Sequence, residues 1–429
     1  MALTGRAALA ALAGALVALA FRTVAAVVIV NGLILAAIVA DVILAGRVAR
    51  LHLSRSGDVR LLLGQSGSVH LTLQNSDSRR VRASVRDAWP PSAAAAPSRA
   101  KVDIQPSGRV KITTTITPSR RGDVIPAAVT VRSLGPLGLA GRQGSLQAPW
   151  AVRVLPPFLS RKHLPQKLDM LRQLDGQHRS LRRGEGSEFD SLRQYVIGDD
   201  VRSIDWRSSA RRTEVLVRTW RPERDRRLVL VIDAGRTAAG RVGGVPRLDT
   251  FMDAALLLAA VAVKAGDRVD WLAIDRRVRA RVVGANRSSV LAAMTDAMAG
   301  LEAELVESDT AVMASAVLTM AKQRCLVVLL TDLNLSALEQ GMPAIQHLAS
   351  RHRLLVAAVA DPRVAEMADA RGDATSVYSA AAAEHARAQR FRVSALLRSR
   401  GIGVVDAPPE SLPPALTDTY LSLKGTGQI

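Results

Sequence analysis

Five β-rich runs in the second half of the chain each reach an aspartate at or next to the carboxyl end. "LVLVID" (228–233) closes on Asp233, "RVDWLAID" (268–275) on Asp275, "CLVVLLTD" (325–332) on Asp332, "LLVAAVAD" (354–361) on Asp361 and "GIGVVDA" (401–407) on Asp406. In an open α/β sheet the binding crevice lies outside the carboxyl ends of the strands, where the strand order reverses, so several of these carboxylates are expected to converge there. Oxygen ligands of this type with room for water suit Mg²⁺, and a metal-dependent hydrolase using Asp233, Asp332 and their strand-end neighbours is one reading. The same side chains could instead cap helices or accept loop hydrogen bonds.

No enzyme motif accompanies them. The sequence has no Gly-x4-Gly-Lys-Ser/Thr loop, no His-Glu-x-x-His, no Gly-x-Ser-x-Gly elbow and no Gly-x-Gly-x-x-Gly after a strand, and its 7 histidines are scattered. No catalytic residue and no organic cofactor is assigned. The single cysteine, Cys325, excludes a disulfide framework within the chain and a zinc site built on several thiolates, and fits a reducing compartment. It opens an apolar strand and reads as buried packing.

A second cluster lies just upstream, in "GSEFDSLRQYVIGDDVRSIDWRSSARRTEVLVRTWRPERDRRLVLVIDAG" from Gly186 to Gly235. Asp199, Asp200 and Asp205 alternate with arginines, and Tyr195 and Trp206 are interleaved. Such spacing suits an ion-pair and cation–π lattice that pins an extended segment onto a neighbouring domain, in which case Asp205→Ala or Trp206→Ala destabilises the soluble part. A protein-docking surface is the alternative. Catalysis by the Asp pair is disfavoured, because no His or Lys within the motif would tune one carboxylate away from the other.

The elements that position these residues follow from patterning. From 227 to 412 strand runs alternate with helical patterns such as "LDTFMDAALLLAAVAVKAG", which predicts a doubly wound parallel α/β sheet. Residues 413–429 read as the C-terminal tail, the stretch from Pro408 with Pro413-Pro414 and a polar end being expected to form a closing short helix followed by loose residues. Residues 156–185, opened by Pro156-Pro157, read as a linker leading into a helix, and 186–226 as a segment packed on the next domain. Between 56 and 155, short alternating runs separated by Gly, Ser, Pro and Asn predict an antiparallel β-sandwich, with Pro90 to Arg99 an exposed loop.

Residues 1–48 read as a transmembrane helical hairpin. Ala7 to Phe21 carries no charge, and Val24 to Ala45 carries only Asp41, which is expected at the interface rather than at mid-membrane. The second span covers about 30 Å and crosses unaided, whereas the first is shorter and must recruit Ala2 to Gly5. Arg47, Arg50, Arg55 and Arg60 crowd the exit against Arg22 alone in the turn, so both termini are expected on the cytoplasmic side of the inner (plasma) membrane. The 429 residues carry 58 Lys+Arg against 38 Asp+Glu, a net charge of +20 that favours an anionic lipid bilayer. Aromatic residues are only 3%, which weighs against nucleic acid, since unpaired bases need stacking partners; a basic membrane protein contacting nucleic acid is kept as a third reading.

Fourteen positions of the second cluster carry a resemblance. Gly186, Phe189, Leu192, Arg193, Tyr195, Gly198, Asp199, Asp200, Arg202, Ile204, Asp205, Trp206, Ala210 and Arg211 follow the pattern Gly-x-x-Phe-x-x-Leu-Arg-x-Tyr, then Gly-Asp-Asp-x-Arg-x-Ile-Asp-Trp, then Ala-Arg. This resembles the signature of domain-of-unknown-function family 58. The resemblance implies an N-terminal membrane hairpin, a β-rich domain, and a von Willebrand factor A-like domain behind the signature. It also implies a metal-dependent adhesion site, with Asp-x-Ser-x-Ser after the first strand, a Thr in a later loop and an Asp after the fourth. Here those positions read Asp233, Gly235 and Thr237, then Thr310, then Asp332, so one hydroxyl is missing and the site is expected to be degenerate. The partners implied are an AAA+ ATPase of the MoxR type and other membrane or envelope proteins, with this chain as a non-enzymatic adaptor.

Overall fold

A computed structural model describes residues 2–21, 23–181, 188–212, 214–221 and 226–428. The chain divides into two compact units, 1–155 and 156–429.

The first unit joins two apolar helices to a set of short sheets. Helices Gly5–Phe21 and Val24–Leu44 pack against each other, the second capped by Thr23, whose hydroxyl accepts from the Ala26 amide. Among the described residues Val24–Arg50 is the stretch long and apolar enough to cross a membrane. Gly5–Phe21, at 17 residues, is shorter. The β part holds a five-stranded sheet (Val81–Asp87 and Val129–Leu134 at its centre), a three-stranded sheet around Gly67–Asn75, and a second three-stranded sheet of shorter strands around Val152–Leu155. Pairing is antiparallel apart from Val152–Leu155 beside Arg60–Leu62. Alternate residues point inward: Val69, Leu71 and Leu73 from one strand and Val81 and Val85 from another are buried, while their neighbours are more open. The Pro90 to Arg99 stretch is less loop-like than expected. Ala93 is fully buried and Ala96 pairs with Thr115, so small side chains let the backbone fold back onto the sheet.

Asp41 sits at the junction of helix and sheet. Its side chain is 0% exposed, and its two carboxylate oxygens accept the amides of Leu137 (2.8 Å), Leu139 (2.7 Å) and Ala140 (2.8 Å). Gly135 is required there, because an added Cβ would lie 2.1 Å from Asp41 Oδ1. Arg142, on strand Ala140–Leu146, donates to the Val42 carbonyl at 3.0 Å, and Thr4 at the start of the other helix donates its hydroxyl to the Gly138 carbonyl at 2.7 Å. The start of one helix and the end of the other are therefore tied to one turn.

The second unit is built on a six-stranded sheet. In chain order its strands are Arg227–Asp233, Arg268–Ile274, Val278–Val282, Leu326–Leu330, Arg353–Val359 and Gly403–Ala407. In space they run 3-2-1-4-5-6, all parallel except the antiparallel third at the edge. Both faces are covered, as near-continuous apolar strands require. Leu228, Leu230 and Ile232 meet helix Arg247–Lys264 on one side; Val229 and Val231 lie in the core with Met313, Ile345 and Leu397 on the other. The order reverses between the first and fourth strands, which places a crevice at their carboxyl ends.

Two expected boundaries are corrected. Residues 413–429 are more than a tail: the expected closing helix runs Leu412–Gly425, and it buries Leu412, Leu416, Tyr420 and Leu421 in the core. Pro413 and Pro414 fall in its first turn, where no intrahelical amide donor is needed, so they start the helix rather than break the chain. Residues 156–185 also do more than link. Leu171 lies in the same core, Lys167 pairs with Asp418 at 2.5 Å, and the Ser160 amide donates to Asp253 at 3.0 Å. Burial holds the Asp253 carboxyl above its ordinary range.

Candidate functional site

The switch-point crevice gathers all four residues of the expected adhesion-type site. Asp233, Thr237, Thr310 and Asp332 line one cavity of about 70 Å³, together with Ser308, Asp309 and Thr331. That volume admits a few waters.

Each carboxylate in the crevice is already engaged. Asp233 ends the first strand nearly buried; its Oδ1 accepts the Gly235 amide at 2.9 Å and the Ser308 hydroxyl, and its Oδ2 accepts the Thr331 hydroxyl at 2.6 Å. An added Cβ on Gly235 would lie 2.1 Å from Ser308 Oγ, so Ser308 occupies the space that a side chain at 235 would need. Asp332 Oδ2 accepts from Arg247 at 2.9 Å, and its Oδ1 from Arg390 at 2.7 Å. Arg247 also donates to the Thr237 carbonyl at 3.1 Å, and Arg390 to Asp406 at 2.7 Å and the Val359 carbonyl at 3.1 Å. Burial works against the Arg390 charge, but its bonds to Asp406 and the nearby Asp332 hold the guanidinium above its usual value.

The donor set does not fit Mg²⁺. A divalent cation needs free anionic oxygens, whereas the oxygens of Asp233 already accept from hydroxyl or amide groups and those of Asp332 from guanidinium cations. The remaining strand-end aspartates are likewise committed. Asp275 accepts the Arg277 amide (3.0 Å) and the Arg279 guanidinium (2.8 Å), bonds that outweigh burial and keep it below its ordinary range. Asp361 caps helix Pro362–Asp369 through the Arg363 amide.

The signature cluster forms a β-hairpin, Glu188–Gln194 against Leu216–Arg221, with two helical turns between the strands. Arg193 grips Asp199 through both terminal nitrogens (2.7 and 2.5 Å), which, with the Val196 amide, holds the Asp199 carboxyl low. Asp200 accepts the Arg202 amide at 2.9 Å. Asp205 caps helix Trp206–Ser209 through the Ser208 amide and accepts Arg218 Nε at 2.9 Å; both bonds keep it ionised below its usual range. The ion pairs of Asp199 and Asp205 and the capping bond of Asp200 thus stay inside the hairpin. The expected cation–π lattice is absent among the described residues, and Trp206 is 68% exposed rather than buried, because its short helix is held by backbone capping and not by side-chain packing. Gly186 lies outside the described residues, as does the Phe189 side chain. Leu192, Gly198, Ala210 and Arg211 lie at or near the surface, Gly198 with φ +108° in the turn after Ile197.

Most of this hairpin and of the sheet that follows it in the chain match a known family model, described as protein of unknown function DUF58, over residues 191–392. Residues 191–392 carry a DUF58 family domain. The DUF58 domain takes in most of the hairpin, five of the six sheet strands and both crevice arginines. Uncharacterized proteins of Mycobacterium tuberculosis and Mycobacterium bovis are 32% identical over 211 residues, 48% of this chain. The chain spans 64% of the length of these relatives. Among solved structures, the CARDB domain of PF1109 from Pyrococcus furiosus, in complex with di-metal ions, is similar over 24% of this chain and 86% of that one, at 16% identity and a TM-score of 0.18. A FixG-related protein from Vibrio parahaemolyticus covers 24% and 96%, at 6% identity and a TM-score of 0.19.

Within the DUF58 domain, sequence reasoning missed Ser308, Thr331, Arg247 and Arg390. Thr331 had a signal, since it directly precedes Asp332 on the same strand end. The arginines had none, because each sits on a helix far along the chain and is one of many in a basic sequence.

Proposed function

We propose that this chain is a membrane-anchored, cytoplasm-facing interaction protein whose α/β unit is von Willebrand factor A-like, and that it serves as adaptor or assembly partner of a MoxR-type AAA+ ATPase. The observation that carries the non-enzymatic half is the Asp332 carboxylate divided between Arg247 and Arg390 at the switch point. Carboxylates fixed in this way hold a crevice in shape; they do not shuttle protons or ligate a catalytic metal. The strand order 3-2-1-4-5-6 with an antiparallel third strand supports the von Willebrand factor A-like reading. The ATPase partner rests on the signature resemblance.

The anchor is read as two helices with both termini cytoplasmic. Support comes from the turn at 134–142, which binds the beginning of the first helix and the end of the second, and from the arginines that follow the second. Reporters at the N-terminus and at the C-terminus should fall on the same side of the membrane; opposite sides would leave one span. Purified full-length chain in detergent should co-elute with the MoxR-type ATPase of its own organism. Failure to associate even after crosslinking would remove the ATPase from the proposal.

A further inference from the structure

The signature hairpin presents side chains that nothing among the described residues covers. Between Tyr195 and Val215, Val196, Ile197, Val201 and Trp206 are exposed, Ile197 to 96%. Large apolar side chains normally avoid such exposure when grouped, and clusters of them mark interaction sites. Around them Arg202, Arg207, Arg211 and Arg212 are also exposed, with no carboxylate partner among the described residues. The nearby aspartates cannot neutralise them, because Asp199 and Asp205 are bound to Arg193 and Arg218 and Asp200 caps a turn.

The excursion therefore separates two jobs. Its acidic groups fix the backbone by bidentate pairing and capping, and its apolar and cationic groups face outward. Trp and Arg are the residue types that dominate hot spots in protein interfaces, where a buried aromatic anchor is ringed by polar contacts. A membrane surface would attract the same charges, but it requires no rigid arrangement of the anchor, whereas this one is stapled by a bidentate pair and two caps.

We infer that the 195–212 excursion, and not the switch-point crevice, is the docking surface of this chain, and that it takes an acidic protein surface with an apolar pocket for Trp206 and Ile197. The inference shares with the proposed function only the premise that the chain is an interaction protein; it holds for any acidic protein partner.

The test uses full-length chain in the membranes of its native cells, with a photo-crosslinking benzoyl-phenylalanine at position 197 and, as a control, at position 378, where Tyr378 is exposed on helix Ala374–Ser399. The expected result is an adduct from position 197 alone with one protein, identified by mass spectrometry and acidic on its contacting face. Its yield falls at least tenfold with Trp206→Ala and at about 1 M salt, where screening shortens to ~3 Å. Thermal melting of Trp206→Ala is unchanged. Lipid adducts, equal adducts at 378, no adduct, or a yield indifferent to Trp206→Ala each overturn the inference. If the captured protein is acidic but no MoxR-type ATPase, the docking surface stands and the ATPase assignment falls.

Discussion

Arg247 and Arg390 reach Asp332 from different helices, at 2.9 and 2.7 Å, and take one carboxylate oxygen each. This pairing joins helix Arg247–Lys264 on one face of the sheet to helix Ala374–Ser399 across the end of the fourth strand. Arg390→Met leaves Asp332 with Arg247 alone and takes from Asp406 the arginine it pairs with. Breaking a largely buried pair by removing one partner costs about 3 kcal/mol, less than a fully buried pair because a fifth of the arginine remains exposed. Urea unfolding of the full chain should register that loss.

The same relationship predicts the outcome of metal titration. With guanidinium groups on Asp332 and hydroxyls on Asp233, calorimetry with Mg²⁺ or Mn²⁺ should give no binding heat above dilution, and Asp233→Ala should not change that trace. A saturable isotherm in the wild type, lost in Asp233→Ala, would return the hydrolase reading.

Asp41 supplies a test of the junction in the first unit. Its carboxylate is the acceptor for the amides of Leu137, Leu139 and Ala140, and Asp41→Ala leaves all three without it. Each unsatisfied buried donor costs about 1–3 kcal/mol. Hydrogen exchange at those three amides should accelerate by two orders of magnitude or more, while amides in Gly67–Asn75 stay protected. Gly135→Ala should do the same by displacing Asp41.

That role was hidden in the sequence for a physical reason. A lone Asp at the end of an apolar run signals an interface, but its partners lie about a hundred residues away in a turn that patterning marks only as Gly-Pro-Leu-Gly. Strands were legible because they are short-range: the run 354–361 corresponds to strand Arg353–Val359, and 228–233 to Arg227–Asp233. The convergence of Asp233 and Asp332 was legible for the same reason, since strand ends fix it, whereas Thr237 and Thr310, on helices Arg236–Ala239 and Thr310–Met320, were indicated only by the family resemblance. The charge state of the crevice was not, because Arg247 and Arg390 arrive by tertiary packing. Trp206 was misjudged as buried because an aromatic residue amid charges looks alike whether it packs inward or waits for a partner.

Two tryptophans separate core from surface. Trp271 is fully buried in the second strand, and Trp271→Ala should cost about 3–5 kcal/mol through the cavity it leaves. Its indole nitrogen has no hydrogen-bond partner among the described residues, so Trp271→Phe loses volume but no hydrogen bond and should cost much less. Trp206→Ala, on an exposed site, should stay within about 0.5 kcal/mol of wild type. Equal destabilisation by both alanine variants would mean that Trp206 packs internally.

Cys325 and His352 meet at 3.3 Å, both buried beneath the amino ends of the fourth and fifth strands. Burial pushes the thiol up to about 11 and lowers the imidazole from its ordinary value. Both groups are then neutral at pH 7. For the histidine, the unfolded chain takes up a proton as pH falls through about 6.5 while the folded chain resists, so stability is full above that pH and declines below it. The lowered carboxylates of Asp199 and Asp205 act in the same direction but only below about pH 4, whereas the raised Asp253 carboxyl acts in the opposite direction, adding stability as pH falls, so the comparison with a His352 variant isolates the imidazole. Melting temperature should therefore drop between pH 7 and pH 5 in the wild type and less in His352→Gln. For the thiol the sign is opposite: its contribution is intact below about pH 8.5 and is lost as pH rises toward 11. At pH 8 only on the order of 10⁻³ of it is thiolate, so iodoacetamide should spare Cys325 in the folded chain and label it promptly in urea. Labelling at equal rates in both states would place the thiol in contact with solvent and remove the buried pair.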